Sequence, residues 1–213
     1  GESEFDDSDE YSNELYGGLG ADTLYGAAGD DHLYAMGKIT SALDVNENIL
    51  YGGGGNDKLY GSYGDDIIYT GSTNTKKTFF GRPDGDDIGT KNEVHGYEGN
   101  DKIYGDAAVD TLTGGAGNDT FFLGKDDGLD VIDGNDDSDT INYSAIVDSQ
   151  YYADIDLTDG TSEIKDSSNS DAVVKTDTIV SIENAIGTSG ADTLRGNSLQ
   201  NSLNGGAGTD TVL

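Results

Sequence analysis

Aspartate is the residue type here whose spacing could do chemistry. From Gly96 to Phe122 three nine-residue blocks follow one another, GYEGNDKIY, GDAAVDTLT and GGAGNDTFF. Each opens on glycine (Gly96, Gly105, Gly114), carries aspartate at its sixth place (Asp101, Asp110, Asp119) and an apolar side chain at its eighth (Ile103, Leu112, Phe121). The same block recurs at 17–25, 26–34, 52–60, 61–69, 187–195, 196–204 and 205–213. Across these ten blocks the first place is always Gly, the fourth is Gly in eight, and the sixth is Asp in nine, with Asn201 the exception. Carboxylates repeated at one fixed interval are oxygen ligands, and oxygen is what hard divalent cations bind.

The elements that must position these carboxylates follow from the same period. An x-U-x strand points its eighth-place side chain inward and its seventh and ninth places outward. The six residues between strands must reverse the chain, and glycine supplies the positive φ angles for that without a Cβ cost. Two blocks then complete a coil of eighteen residues, giving two parallel sheets with strands about 4.8 Å apart. One apolar residue per block contributes about 1.5–3 kcal/mol, against about 1–2 kcal/mol per residue of backbone ordering. Burial alone loses, and stacked sixth-place carboxylates repel. A calcium ion between neighbouring turns would accept those carboxylates and the backbone carbonyls, whereas magnesium demands octahedral geometry and keeps its waters.

Along the chain, residues 1–16 are an acidic lead-in whose end, Asn13 and Leu15, falls in phase as a half-block. Repeats fill 17–142, with insertions over 35–47 and 70–91 after which Asn48 with Leu50 and Asn92 with Val94 restore the phase. Beyond Phe122 the frame slips by two residues but keeps Asp130 and Asp139 at the sixth place and Ile132 and Ile141 at the eighth. Residues 143–186 lose the period; ADIDLT, TSEIK and DAVVKTDTIV alternate polar and apolar residues, as strands or hairpins beside the stack would. A second repeat block, 187–213, stops on an apolar residue, so a longer parent chain is expected.

Composition narrows the classes of function. The 213 residues carry 42 acidic and 11 basic side chains, a formal charge of −31, with 33% hydrophobic residues and 33 glycines. Such a chain is self-repelling and short of apolar surface, which makes it disordered unless cations remove the repulsion. Nucleic acid is excluded as a partner, since it selects basic surfaces. No run approaches the roughly 18 apolar residues of a membrane span. Without cysteine there is no disulfide framework, thiolate site or thiol nucleophile. The sequence has no HExxH, GxSxG or phosphate loop. The chain is read as non-enzymatic; paired acids for glycoside hydrolysis stay open, although metal binding already accounts for the carboxylates.

The nonapeptide GGxGxDxUx is the known signature of calcium-binding RTX (hemolysin-type) repeats, and the chain resembles that family over about 17–142 and 187–213. The resemblance implies an all-β fold, a right-handed parallel β-roll with inserted loops and an interrupting strand-rich segment. It also implies several bound Ca2+ ions, type I secretion, and folding outside the cell. Carried over at the first, fourth and sixth places, the metal-site residues are Gly17, Gly20 and Asp22; Gly26, Gly29 and Asp31; Gly52, Gly55 and Asp57; Gly61, Gly64 and Asp66. They continue with Gly96, Gly99 and Asp101; Gly105 and Asp110; Gly114, Gly117 and Asp119; Gly187, Gly190 and Asp192; Gly205, Gly208 and Asp210, with Asp130 and Asp139 from the slipped blocks. Ala108 and Leu199 depart from the pattern at the fourth place and Asn201 at the sixth.

Other features have plainer readings beside the sharper ones. Tyrosine fills the ninth place at Tyr16, Tyr25, Tyr34, Tyr51, Tyr60, Tyr69 and Tyr104, an outward ladder that suits an exposed strand or, alternatively, a sugar surface. The insertion at 70–91 gathers Lys76, Lys77, Arg82 and Lys91 with Phe79, Phe80 and Pro83, as a docking loop or a mobile one, and Asp84, Asp86 and Asp87 there could add calcium ligands. His32 and His95, the two histidines, read as strand decoration. The leading expectation is a secreted, calcium-folded module for folding, stiffening or adhesin-like surface attachment. The alternatives are an accessory region of a secreted polysaccharide-modifying enzyme or protease, and a glycan-binding module.

Overall fold

The computed structural model describes residues 2–3, 12–38, 43–71 and 91–213, and in it the chain is a parallel β-roll. In chain order the strands are β1 (Glu2–Ser3), β2 (Glu14–Gly18), β3 (Thr23–Ala28), β4 (His32–Met36), β5 (Ile49–Gly54), β6 (Lys58–Tyr60), β7 (Ile67–Gly71), β8 (Glu93–Glu98), β9 (Lys102–Tyr104) and β10 (Thr111–Ala116). They continue as β11 (Thr120–Phe122), β12 (Val131–Asp136), β13 (Thr140–Asn142), β14 (Tyr151–Asp156), β15 (Thr161–Asp166), β16 (Ala172–Val180), β17 (Asn184–Ile186), β18 (Thr193–Arg195), β19 (Ser202–Asn204) and β20 (Thr211–Val212). One 3₁₀ turn, Ser167–Asn169, is the sole helical piece among the described residues.

Strands alternate between two sheets. The first runs β1-β3-β5-β7-β9-β11-β13-β17-β19, the second β2-β4-β6-β8-β10-β12-β16-β15-β14-β18-β20. Pairing holds the nine-residue places in register: Ile68 lies between Leu50 and Ile103, and Leu112 between Val94 and Ile132. The eighth-place side chains therefore form two facing columns, from Leu24 to Ala185 and from Leu15 to Ile179, and all are buried. A core one residue wide per strand is what the x-U-x alternation dictates.

The ninth places stack as rings. Tyr25, Tyr51, Tyr69, Tyr104 and Phe122 follow one another at centroid separations of 4.8, 4.9, 4.5 and 4.4 Å, and Tyr16, Tyr34, Tyr60 and His95 at 4.8, 4.7 and 5.3 Å. The ring faces are taken by neighbouring rings. Within each stack the inner rings present their edges outward, which suits cross-strand packing better than stacking on sugars.

The structure differs from the sequence reading at the interruptions. Residues 151–180 do not lie beside the stack but inside it: β14, β15 and β16 form an antiparallel meander spliced into the second sheet between β12 and β18. In the first sheet β13 pairs directly with β17. The splice works because β16 ends in repeat phase, placing Ile179 beside Ile132 and Val180 beside Asp133. The insertion expected over 35–47 is narrower, since β4 reaches Met36 and Asp44 is already in the turn stack, accepting from the Tyr63 N–H at 2.9 Å. From the second insertion, Lys76, Lys77, Phe79, Phe80, Arg82, Pro83, Asp84, Asp86 and Asp87 lie outside the described residues; Lys91 is described and its N–H donates to Asn56 Oδ1.

Candidate metal centre

As far as Asp139 and Asp130 the sixth-place residues make two ladders, one along each edge of the roll, in which Oδ1 accepts the main-chain N–H of the sixth-place residue one coil earlier. Beyond the meander Asp192 Oδ1 accepts from Ala153 N–H and Asn201 Oδ1 from Asn197 N–H instead. On the first edge the donors Asp22, Asn48, Asp66, Asp101 and Asp119 reach Asn48, Asp66, Asp101, Asp119 and Asp139 at 2.7–3.0 Å. On the second edge Asn13, Asp31, Asp57, Asn92 and Asp110 donate to Asp31, Asp57, Asn92, Asp110 and Asp130 at 2.7–3.3 Å. A second ladder runs the opposite way through the fifth places: Asn100 N–H donates to Asp65 Oδ1 and Asn118 N–H to Asn100 Oδ1.

The other carboxylate oxygen, Oδ2, divides the turns into two kinds. In closed turns the second-place N–H donates to it and the second-place side chain accepts the fourth-place N–H. Ser62 does this for Asp66 (2.5 and 3.2 Å) and Thr188 for Asp192 (2.8 and 2.9 Å). Asp106 does the same for Asp110 (3.4 and 2.8 Å), and Asn197 for Asn201, through its Oδ1 (2.9 and 2.9 Å). These side chains are the ones that form local Asx and ST turns.

In open turns the second place is left-handed instead: Gly18, Ala27, Gly53, Tyr97, Gly115, Asn135 and Gly206 have φ between 69° and 133°. That peptide orientation aims the second-place carbonyl along the stack, so that a Cβ on Gly53 or Gly115 would collide with the carbonyl of Ala27 or Tyr97. The fourth-place carbonyls of Gly29 and Gly99 point likewise at Gly55 and Gly117, and that of Gly64, in a closed turn, points at Gly99. From the coil above, the Gly52 and Gly114 carbonyls point down at Gly26 and Gly96, where Asp31 Oδ2 and Asp101 Oδ2 also lie; a Cβ on Gly26 would sit 2.7 Å from the Asp31 oxygen.

This arrangement fits a hard cation. The Oδ2 atoms of Asp31, Asp101, Asp119 and Asp139 are buried and accept no hydrogen bond, and at Asp31 and Asp101 a carbonyl oxygen crowds the same place. Acceptors facing acceptors in the interior are costly unless a positive charge lies between them. Among the described residues no three acidic or histidine side chains converge, so the oxygen set combines carboxylates with main-chain carbonyls. Burial raises the carboxyl pKa values, to about 6 at Asp31 and Asp119, about 7 at Asp110 and Asp139 and about 8 at Asp101, with Asp119 and Asp66 adding repulsion at Asp101.

Open turns carry Gly17, Gly20 and Asp22; Gly26, Gly29 and Asp31; Gly52, Gly55 and Asp57; Gly96, Gly99 and Asp101; Gly114, Gly117 and Asp119; and Gly205, Gly208 and Asp210. Asp139 belongs to another, with Asn135 and Asp137 in the left-handed places. Gly61, Gly64 and Asp66, Gly105 and Asp110, and Gly187, Gly190 and Asp192 sit in closed turns, where the carboxylate is already hydrogen-bonded. Gly105 also faces Leu123 Cδ2.

Three acidic residues escaped the sequence reading. Asp177 and Glu183 complete the ladders, accepting the N–H of Asp130 at 3.1 Å and of Asp139 at 2.9 Å. Asp44, buried in the first insertion, closes its turn by accepting from Asn46 N–H at 3.2 Å. The signal for the first two was present: each stands two residues before an inward apolar side chain, Ile179 and Ala185.

The family model for the RTX calcium-binding nonapeptide repeat matches the chain in four copies, at residues 7–37, 46–75, 89–121 and 186–213. No curated protein matches it. The matched copies cover the stacked turns as far as Asp119 and again from Gly187, and leave out the turns of Asp130 and Asp139 as well as the meander. The chain belongs to the RTX calcium-binding nonapeptide repeat family.

Proposed function

We propose that this chain is a calcium-folded β-roll module of a protein exported by a type I route, acting outside the cell as a folding, stiffening or surface-attachment unit. The observation that carries this reading is the set of buried Oδ2 atoms at Asp31, Asp101, Asp119 and Asp139, which meet no donor. The ions belong in the gaps between consecutive open turns: 26–31 with 52–57, 96–101 with 114–119, and 114–119 with 134–139. Asp31 and Asp57, Asp101 and Asp119, and Asp119 and Asp139 would hold them, with the carbonyls of Ala27, Gly29, Tyr97 and Gly99. Bound calcium supplies the positive charge that the interior carboxylates lack.

Extracellular calcium modules have dissociation constants of about 10⁻⁴–10⁻³ M, so each site adds about 0.4–1.4 kcal/mol at millimolar calcium. Free calcium in a cell's interior is too scarce to fill sites of that affinity, which couples folding to export. The repeat is a structural unit without catalytic residues of its own. The test is far-UV circular dichroism of the 213-residue chain: coil in EGTA, β-structure in millimolar calcium, and little change with magnesium. Equal β-content in EGTA and calcium would count against the proposal.

A further inference from the structure

The rung between Asp130 and Asp177 is unlike the others. Asp130 N–H donates to Asp177 Oδ1 as the ladder requires, but the strand leading to Asp177 is extended, and the place two residues before the acid, glycine in most repeats, is Lys175. Strand alternation points Lys175, Asp177 and Ile179 inward together. The Lys175 Nζ, with its side chain 2% exposed, lies 3.0 Å from Asp177 Oδ2 and 3.7 Å from Asp130 Oδ2, both on fully buried side chains. Tyr143 O–H donates to Asp177 Oδ2 at 2.6 Å, Ser162 O–H donates to the Tyr143 hydroxyl at 2.8 Å, and the ammonium stands 5.7 Å from the centre of the Tyr143 ring.

We infer that Lys175 is a built-in counter-cation: its ammonium stands at the Asp130–Asp177 rung where the gaps between open turns take calcium, so that the meander and the strands it joins fold without the ion. The inference rests on the calcium reading of the open turns. Asp130, expected from its place to be a calcium ligand, is here assigned to the lysine.

Two further observations agree. The meander together with the segment leading into it buries Tyr143, Ile146, Ala153, Ile155, Leu157, Ile164 and Ile179, more apolar side chain than the one-per-strand core of the repeats. The turns flanking this stretch on the same edge, 105–110 and 187–192, are closed by their own hydrogen bonds. An ion pair without the lysine leaves two carboxylates buried against each other, which is strongly destabilising, whereas a divalent ion could replace the lost charge.

Hydrogen–deuterium exchange of the whole chain tests this. In EGTA the wild-type amides of β12 and β14–β16 stay protected while those of β2–β7 exchange freely. Lys175→Met lowers the EGTA protection of β14–β16 by about a hundredfold or more, the loss expected when one partner of a buried pair is removed. Calcium restores it, with one more calcium bound per chain by equilibrium dialysis, and Lys175→Arg keeps the wild-type pattern. Equal EGTA protection in Lys175→Met and wild type overturns the inference, as does a wild-type meander that exchanges freely in EGTA. Failure of calcium to rescue Lys175→Met overturns the equivalence of ammonium and ion. Protection of β2–β7 in EGTA overturns instead the calcium reading beneath it.

Discussion

Two residues of the same type at the same repeat place do different work, and the second place of the turn decides which. Asp119 presents a bare Oδ2 to the interior, whereas Asp66 has the Ser62 N–H on it. Asp119→Ala is therefore expected to raise the calcium midpoint and lower the number of ions bound. Asp66→Ala leaves the ion count unchanged and costs about 1–3 kcal/mol of stability at saturating calcium through its unpaired backbone donors; isothermal titration beside chemical unfolding separates the two. Acid offers a second check. Burial raises Asp31, Asp119, Asp139 and Asp101 to between about 6 and about 8, so without metal their protonated forms favour the fold. That contribution is complete below the ordinary carboxylate range and is lost as pH rises through about 6 to 8. In EGTA the circular dichroism should thus show more β-structure at pH 5 than at pH 8, while calcium affinity should rise over the same interval as ion replaces proton.

At the scale of the element, the turn is a switch between two ways of satisfying one carboxylate. Thr188 closes the turn 187–192 beneath the open turn 205–210. Thr188→Gly frees the second place to become left-handed and uncovers Asp192 Oδ2, so one additional calcium per chain is expected by equilibrium dialysis, and Thr188→Ser is expected to match wild type. The x-U-x strands, the inward column and the aromatic ladder were all legible in the sequence, because a two-residue alternation on a nine-residue period fixes which side chain faces where. The open and closed turns were not. The sequence reading ranked the turns by their first, fourth and sixth places, while the difference is set by hydrogen bonds from the second.

At the scale of the molecule, a charge of −31 opposes compaction until cations are bound. Small-angle scattering in EGTA should give a radius of gyration approaching the unfolded-chain value of about 50 Å for this length, falling to less than half of that in millimolar calcium. A residual compact fraction in EGTA is expected from the meander. Its placement inside the second sheet was hidden from the sequence, since DAVVKTDTIV reads equally as a free hairpin strand. Only pairing with β12 through Ile132 and Ile179 shows it to be a coil of the roll.

By itself the sequence determined the repeat, the parallel roll, the inward and outward faces and the class of ion, because each follows from periodic local geometry and from the oxygen chemistry of aspartate. Tertiary structure decided which carboxylates are left without a donor, that Asp44 closes a turn inside the first insertion, where Asp177 and Glu183 enter the ladders, and that Lys175 meets Asp130 across 45 residues of chain. The donors come from the second place of each turn, which the repeat leaves variable, and the Asp177, Glu183 and Lys175 contacts join segments far apart in sequence across the interruption of the period.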